Sequence, residues 1–397
     1  MFINDVGAST FEEINDGLAG SNYGWSFCEG ACNPPNANFR NPLFQYGHGT
    51  GNTTGCAVVG GAFYDPPINQ FPASFLGKYF FADLCSGWIR VMDPANNTAS
   101  GFATGLSTPV DLQAGPDGAL YYLIRGSGGQ VWRVVATPSQ ALDISSRSQV
   151  GSGNDVMIGG FIINGTAPKR VIVRAIGPSL QQFNVPGPLP DPVLELHGSG
   201  GALISANNDW RDAQEGEIVN TGLAPQNNLE SAIVATLSPG AYTAVVSGRN
   251  GVNGVGLVEV YDLGLAAASK LANISTRSMV QTGDNRLIGG FILGNNSGAA
   301  RVILRAIGPS LVEFGVSNAL ANPTLELRDS NGTLLLANDN WQDDPNQAAQ
   351  ITASGLAPAN PLESAIAAGL FPGAYTVIVA GNNGGTGVGL AEVYHIP

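Results

Sequence analysis

Side chains that commonly catalyse reactions are sparse in this 397-residue chain, which contains only three histidines. His48 lies in the glycine-rich run Tyr-Gly-His-Gly-Thr, where its imidazole could exchange a proton near neutral pH. A histidine on such a loop more often has no catalytic role. The sequence also contains no Ser-His-Asp order, no paired-carboxylate arrangement and no phosphate-binding loop. These residues therefore predict no catalytic centre.

The four cysteines, Cys28, Cys32, Cys56 and Cys85, all lie in the first quarter of the chain. Their even number, in a Gly- and Asn-rich context, predicts two disulfides and an oxidising compartment. Three pairings are open, and the short spacing favours Cys28–Cys32 with Cys56–Cys85. A zinc site is the alternative, but Cys-x3-Cys followed by isolated cysteines does not match the usual spacing of zinc ligands.

Two segments that end in tryptophan are further candidates for binding, Asn-Asn-Asp-Trp at residues 207–210 and Asn-Asp-Asn-Trp at residues 338–341. Their oxygen atoms could bind Ca²⁺ and the Trp could contact a sugar. We favour the structural alternative, in which Asn and Asp sustain turns and the Trp closes the end of a sandwich. Arg174 and Arg305 are expected to form internal ion pairs rather than to bind a ligand.

The elements that must hold these residues are β-strands. The chain has 54 Gly and 25 Pro, and short Val/Ile/Leu/Tyr runs interrupted by Gly, Asn, Asp and Pro recur throughout. This pattern is typical of an all-β protein with many turns. A hydrophobic content of 44% excludes low-complexity disorder. At this length two or three domains are expected.

The net charge is −13, from 30 acidic and 17 basic residues, without a cluster of Lys and Arg. Nucleic acids and anionic membranes are therefore not expected as partners. No apolar segment reaches transmembrane length, and residues 1–5 do not form a signal peptide. Because disulfides require export, we expect a secreted or periplasmic protein whose natural start lies upstream of Met1.

An internal duplication fills the C-terminal two thirds of the chain. Ile-Ser-Ser-Arg-Ser at residues 144–148 recurs as Ile-Ser-Thr-Arg-Ser at 274–278, and Arg-Ala-Ile-Gly-Pro-Ser-Leu at 174–180 recurs unchanged at 305–311. A period of about 130 residues is far above that of solenoids or propeller blades, so each copy is expected to be a domain.

Alternating strands and Pro-Gly turns predict a β-sandwich for each copy, over residues 137–265 and 266–397. These copies are similar to the β-sandwich modules at the C-termini of secreted bacterial proteases and hydrolases. We expect each to fold independently and to contact carbohydrate or a cell-surface component.

Several collinear motifs mark residues 1–136. Glu-Glu-Ile-Asn at residues 12–15 and Asn-Tyr-Gly-Trp at 22–25 are followed by Gly-Gly-Ala-Phe-Tyr at 60–64 and Gly-Pro-Asp-Gly-Ala-Leu-Tyr at 115–121. The last is a tight turn leading into a strand, as in propeller blades. This region resembles the closing blades of the soluble glucose/sorbosone dehydrogenases, six-bladed β-propellers that use pyrroloquinoline quinone (PQQ) and Ca²⁺. The resemblance implies a partial propeller of about two blades.

The resemblance also implies calcium ligands. The active-site Ca²⁺ of the family is held by two consecutive backbone carbonyls, which match Gly7 and Ala8. A second, structural Ca²⁺ would use the carboxylate of Glu13 and the carbonyl of Tyr23, both oxygen ligands that Ca²⁺ prefers. The alternative is that Glu13 caps or pairs within a loop and that Tyr23 is only packed.

The positions that would bind the quinone depart from the family. Members that oxidise glucose hold the anionic PQQ with one Lys and two Arg, and the matching positions here are Cys85, Thr108 and Val110. Three basic residues lie nearby in the sequence and could replace them: Lys78, Arg90 and Arg125. The general base of the family is a His on an early blade that this chain does not contain.

Three functional classes follow from these observations, the third being a truncated gene product with no independent role. The first is the C-terminal portion of a secreted PQQ-dependent sugar or aldehyde dehydrogenase-like protein, inactive as this chain alone and in need of the N-terminal propeller segment as a partner. The second is a non-catalytic extracellular binding or adhesion protein. Two blades alone would leave open apolar edges.

Overall fold

The computed structural model describes residues 1–126 and 128–396. The fold is all-β, which confirms the fold class predicted from the sequence. The chain divides into two compact units, Met1–Thr137 and Pro138–Pro397, which we describe separately as the first and second unit. No helix among the described residues has the length and apolar character needed to cross a membrane.

The described residues of the first unit contain ten strands, which form three antiparallel sheets. The first sheet contains β1 (Phe2–Asp5), β2 (Phe11–Asp16) and β3 (Phe44–Gly47). The second contains β4 (Val58–Phe63), β5 (Tyr79–Asp83), β6 (Trp88–Asp93) and β7 (Thr98–Thr104), with a short 3-10 helix (Ala73–Phe75) before β5. The third contains β8 (Pro109–Ala114), β9 (Leu120–Ile124) and β10 (Gln130–Val134). The four-stranded sheet has the form of one complete propeller blade, flanked by two smaller sheets.

The middle sheet is buried on both faces because its strands direct apolar side chains alternately into two cores. Residues of one face pack with Leu112 and Leu120 of the third sheet: Phe80, Ala82, Ile89 and Val91. Residues of the other face pack with Ile14 and Tyr46 of the first sheet: Tyr79, Phe81, Trp88 and Met92. Small antiparallel sheets packed face to face in this way are the arrangement of neighbouring propeller blades.

Both predicted disulfides, Cys28–Cys32 and Cys56–Cys85, are present. The second lies beside the fully buried carboxylate of Asp83, which accepts hydrogen bonds from the N–H groups of Cys56 at 2.9 Å and Cys85 at 2.9 Å. Among the described residues, these three are the one group of potential metal-ligating side chains that converge. Because both sulfur atoms are in the disulfide, neither is available as a thiolate ligand, and the group is structural.

The second unit contains the same order of elements twice. The first repeat consists of β11 (Gln140–Val150), β12 (Met157–Gly165), β13 (Lys169–Ile176), β14 (Pro192–Gly198), β15 (Leu203–Asn207), α1 (Glu215–Asn220), β16 (Ser231–Leu237), β17 (Gly240–Gly248) and β18 (Gly254–Asp262). The second repeat consists of β19 (Ser269–Val280), β20 (Leu287–Gly294), β21 (Ala300–Ile307), β22 (Pro323–Arg328), β23 (Leu334–Asn338), α2 (Pro345–Ala353), β24 (Ser364–Leu370), β25 (Gly373–Gly381) and β26 (Gly387–Ile396). The longest 3-10 helices, Pro178–Phe183 and Pro309–Phe314, occupy equivalent places.

The two repeats exchange their first strands. β11 pairs with β18 of its own repeat and with β20 of the second repeat, while β19 pairs with β26 and with β12 of the first repeat. The exchanged strands run parallel to each other, with Ser148 Oγ donating to Ser278 Oγ at 2.5 Å. Sixteen strands therefore form one continuous hydrogen-bonded sheet. The sequence predicted two separate sandwiches, whereas the structure joins the two copies through these strands.

Candidate functional site

An acidic pocket of about 370 Å³ in the first unit brings together all four residues that the sequence indicated as calcium ligands. Gly7, Ala8, Glu13 and Tyr23 line this pocket, together with five other residues: Asp5, Val6, Trp25, Cys28 and Glu29. Three of these nine side chains are carboxylates and none is basic. We call this site the acidic pocket.

The first sheet and its turn position these groups. Asp5 at the end of β1 lies directly opposite Glu13 on β2, so the register places both carboxylates on the same face. The chain then turns closely at Gly7, where a Cβ atom would lie 1.8 Å from the carbonyl oxygen of Phe11. Tyr23 is anchored because its hydroxyl donates to the carbonyl oxygen of Asp16 at 2.8 Å.

The carboxylate of Glu13 is buried within this pocket. It accepts hydrogen bonds from the N–H of Gly30 and from Asn15 Nδ2 at 3.3 Å. Burial raises the pKa of Glu13, the two hydrogen bonds oppose the rise only in part, and the charges of Asp5 and Glu29 add to it. A cation placed here would favour the ionised form.

Two further oxygen groups border Glu13. Desolvation opposes ionisation of Glu29, but hydrogen bonds from the Ser9 N–H at 2.9 Å and from Thr10 outweigh it and lower the pKa of this carboxyl. Asn15 Oδ1 is buried and has no hydrogen-bond partner among the described residues. Carboxylate, amide and carbonyl oxygens are the ligands that Ca²⁺ takes. The residues present therefore fit a hard cation.

The same residues do not fit PQQ. The quinone is anionic and needs cationic donors, whereas the acidic pocket is lined by three carboxylates and no basic side chain. Cys85, at the position that matches the family's Lys, is joined to Cys56 in a disulfide. Neither Thr108 nor Val110, at the positions that match the two Arg, lines this pocket.

The three basic residues that lie near the clamp positions in the sequence do not line the acidic pocket. Lys78 forms an ion pair with Asp93 at 2.5 Å. Arg90 is buried in β6, with its guanidinium carbon 5.7 Å from the centroid of the Trp88 ring. Arg125 is exposed.

His48 forms a pair with a carboxylate that sequence analysis missed. Its Nε2 lies 2.7 Å from Oε1 of Glu12, which is completely buried and also accepts from the Val58 N–H at 2.7 Å. The pair lies outside the acidic pocket. It connects β2 to the loop after β3, so the observed contacts give His48 a structural role.

The Asn/Asp-Trp segments of the second unit make structural hydrogen bonds, while Asn208 Oδ1, Asp209 Oδ1 and Asn340 Oδ1 are buried without a hydrogen-bond partner among the described residues. The structural alternative that we favoured from the sequence therefore stays a prediction. Asn207 Oδ1 accepts from the Ala232 N–H at 3.0 Å, and Trp210 is only 3% exposed. In the second repeat, Asn338 Oδ1 accepts from the Ala365 N–H at 2.9 Å. These hydrogen bonds connect each segment to a neighbouring strand.

Arg174 and Arg305 form the predicted internal ion pairs. The guanidinium of Arg174 lies 2.5 Å from Glu259, and that of Arg305 lies 2.5 Å from Glu392. Each carboxylate belongs to the Glu-Val-Tyr run near the end of its repeat.

Comparison with known proteins covers only part of the chain. No family model matches it. Over 135 residues it is 31% identical to the HIPL2 protein of Arabidopsis thaliana, a match that covers 29% of this chain and 19% of that protein. The chain thus spans about a fifth of the length of this curated relative.

Sugar dehydrogenases are among the solved structures to which the chain is similar. The soluble aldose sugar dehydrogenase of Escherichia coli is 25% identical, with a TM-score of 0.27, over 33% of this chain and 40% of that one. A glucose dehydrogenase is 21% identical, with a TM-score of 0.27, over 34% of this chain and 41% of that one. Both likenesses extend over about a third of the chain at low TM-score.

Proposed function

We propose that this chain is the C-terminal portion of a secreted protein related to the PQQ sugar dehydrogenases, that its first unit binds Ca²⁺, and that the chain alone does not oxidise sugar. The observation that carries this proposal is the acidic pocket, where the positions matching the family's calcium ligands lie together without a basic side chain.

The calcium ligands in this proposal are those of the two expected sites: the backbone carbonyls of Gly7 and Ala8 for one ion, and the carboxylate of Glu13 with the carbonyl of Tyr23 for the other. Bound Ca²⁺ would supply a fixed positive charge that offsets the repulsion among the carboxylates and orients an oxygen-rich ligand. Glu13 holds its position through the Gly30 N–H, so its carboxylate is preorganised for the cation.

Calcium titration tests the proposal. Isothermal titration calorimetry of the chelator-treated chain is expected to show saturable binding of Ca²⁺, and Glu13→Gln is expected to weaken it at least tenfold. The amide keeps the acceptor for Gly30 but removes the charge that the cation requires. A thermal melt of the variant confirms that it is folded.

Asp65 provides the matched control, because it is an exposed carboxylate of the same unit that does not line the acidic pocket. Asp65→Asn is expected to leave the calcium affinity unchanged. The proposal is wrong if the chelated chain does not bind Ca²⁺, or if Glu13→Gln binds it as tightly as the parent chain.

A further inference from the structure

A groove of about 750 Å³ crosses the second unit where the two repeats exchange strands. The first repeat contributes β11, β18, the 3-10 helix Pro178–Phe183 and the loop at residues 222–226, and the second repeat contributes residues of β20 and β25. We call it the exchange groove. It belongs to a different unit from the acidic pocket, so an inference about it does not rest on the proposed function.

Arg147 on β11 is the unpaired charge of this groove. Its guanidinium is partly buried and has no hydrogen-bond or ion-pair partner within residues 1–126 and 128–396. Asp284 is the carboxylate whose charge acts on it, without a direct contact. An arginine remains protonated in proteins, and a partly desolvated charge gains from a partner of opposite sign.

The other ionised groups of the groove are already compensated. Arg174 pairs with Glu259 at 2.5 Å and donates to the Leu223 carbonyl at 2.7 Å. The carboxylate of Glu230 accepts from the N–H and the hydroxyl of Ser179, both at 2.8 Å. A ligand that enters the groove therefore meets one available charge, and that charge is positive.

Neutral hydrogen-bonding groups lie along the rest of the groove. Gln182 Nε2 donates to Gln226 Oε1 at 2.8 Å, which leaves the other polar atom of each amide available. The hydroxyls of Ser145 and Thr376 have no side-chain hydrogen bond among the described residues. These groups can serve a ligand that carries several hydroxyl groups.

An aromatic side chain also lines the groove. Phe183, the last residue of its 3-10 helix, lines the groove and is 69% exposed. An exposed ring next to polar groups offers an apolar face on which a sugar ring can lie while its hydroxyls make hydrogen bonds.

The groove is open at Gly290 because that residue has no side chain. Its backbone does not require glycine, since its φ is not positive. A Cβ atom there would meet Ser145 Oγ at 2.7 Å, the end of a short side chain, and next the Tyr375 carbonyl oxygen at 3.9 Å. Glycine in a strand interior often marks a close approach by a ligand or by a neighbouring chain segment, and here Ser145 of β11 makes that approach.

We propose that the exchange groove binds an acidic saccharide, a sugar chain that carries carboxylate groups. Arg147 pairs with a carboxylate of the ligand in the bidentate geometry that guanidinium groups favour. Phe183 lies against a sugar ring, and the amides of Gln182 and Gln226 bind hydroxyl groups. A neutral saccharide would leave the guanidinium without a partner, and a simple carboxylate would leave the aromatic and amide groups unused.

Binding is measured on the whole chain by calorimetry, in buffer without calcium, with a trimer of galacturonic acid and the corresponding neutral trimer of galactose. The acidic trimer is expected to bind saturably and at least tenfold more tightly than the neutral one. Arg147→Gln is expected to reduce the affinity for the acidic trimer tenfold or more, and Phe183→Ala several-fold.

Two variants outside the groove serve as controls. Arg301→Gln removes an exposed arginine of the same unit, and Leu203→Ala removes an exposed apolar side chain of β15 that does not line the groove. Both are expected to bind like the parent chain. Gly290→Leu fills the groove without removing any polar group, but its Cβ requires the hydroxyl of Ser145 to rotate away. It is expected to abolish binding, and a thermal melt shows whether the variant is folded.

Three outcomes would overturn the proposal. The first is equal affinity for the acidic and neutral trimers, or no binding of either. The second is an Arg147→Gln chain that is folded and binds the acidic trimer normally. The third is binding of citrate as tight as that of the trimer, which would show an anion site without preference for a saccharide. Calcium binding in the acidic pocket should be unchanged in Arg147→Gln, so failure here is distinguishable from failure of the proposed function.

Discussion

The carboxyl of Asp143 on β11 is buried close to a second acid. Only 6% of the residue is exposed, and Asp143 Oδ1 has no hydrogen-bond partner among the described residues. Burial raises its pKa to about 8, Glu259 adds to the rise, and Arg174 opposes it. The equivalent position of the second repeat is Asn273, a neutral side chain of the same shape.

The protonation of Asp143 predicts how stability depends on pH. In the folded protein this carboxyl holds its proton up to about pH 8, whereas its ordinary pKa is 3.8. Between these values the unfolded chain binds fewer protons, so the free energy of unfolding falls as pH rises, by up to roughly 1.4 kcal/mol per pH unit from this group. Asp143→Asn is expected to remove that contribution and to stabilise the protein at pH 8, as measured by denaturant unfolding from pH 4 to 9.

The matched control for this prediction is Asp329→Asn. Asp329 lies in the exposed turn between β22 and β23, and hydrogen bonds from the N–H groups of Thr333 and Asn331 lower its pKa. Its contribution to stability is present above its ordinary pKa and is lost as pH falls, which is the opposite sign. If Asp143→Asn and the parent chain lose stability equally between pH 5 and 8, Asp143 is not protonated in the folded state.

The residues of the acidic pocket could be predicted as a site because they are close in the sequence. The residues of the exchange groove could not, because only the strand topology brings them together. Gly7, Ala8, Glu13 and Tyr23 span 17 positions, and a sequence motif identified the turn and strand that hold them. The exchange groove combines residues from Ser145 to Thr376. No local pattern connects them, because the contact depends on which strands pair.

At the scale of elements, the exchange of β11 and β19 is the feature that sequence could not decide. Both strands contain nearly the same run, Ile-Ser-Ser-Arg-Ser and Ile-Ser-Thr-Arg-Ser. Each strand therefore presents similar side chains to either repeat. The alternating pattern that predicts a strand does not indicate which strand it pairs with. The duplication and the strands themselves were predictable because their signals are local.

The strand exchange between the repeats predicts the oligomeric state of a single repeat. In residues 137–265 alone, β12 lacks β19 and β11 lacks β20, so two strand edges are open. A second copy supplies a β11 that resembles the missing β19. We expect this fragment to form a symmetric dimer by reciprocal strand exchange, observed as twice the monomer mass by light scattering after size-exclusion chromatography.

Residues 138–396, which contain both repeats, are the control and are expected to remain monomeric under the same conditions. A single repeat that is monomeric and as stable as the two repeats together would contradict the prediction. It would instead support the independent folding that the sequence indicated.

At the scale of the whole molecule, the net charge of −13 has opposite effects on ligand binding at the two proposed sites. A negative protein attracts a divalent cation from a distance, which favours the acidic pocket. It repels an acidic saccharide, so the exchange groove must gain its affinity from contact with Arg147. Added salt screens the long-range repulsion and is expected to leave a partly buried ion pair less affected.

The final prediction concerns the first unit, where the residues of the acidic pocket suit Ca²⁺ but lack the basic side chains that the anionic quinone requires. Three carboxylates line the acidic pocket, and Lys78 and Arg90, which lie outside it, contact Asp93 and Trp88. We expect the chain, mixed with Ca²⁺, PQQ and an aldose, to give no reduction of an electron-accepting dye, while Ca²⁺ alone still binds. Quinone binding that saturates in the micromolar range or tighter would contradict this expectation, because it would require a cationic clamp that the described residues do not place in the acidic pocket.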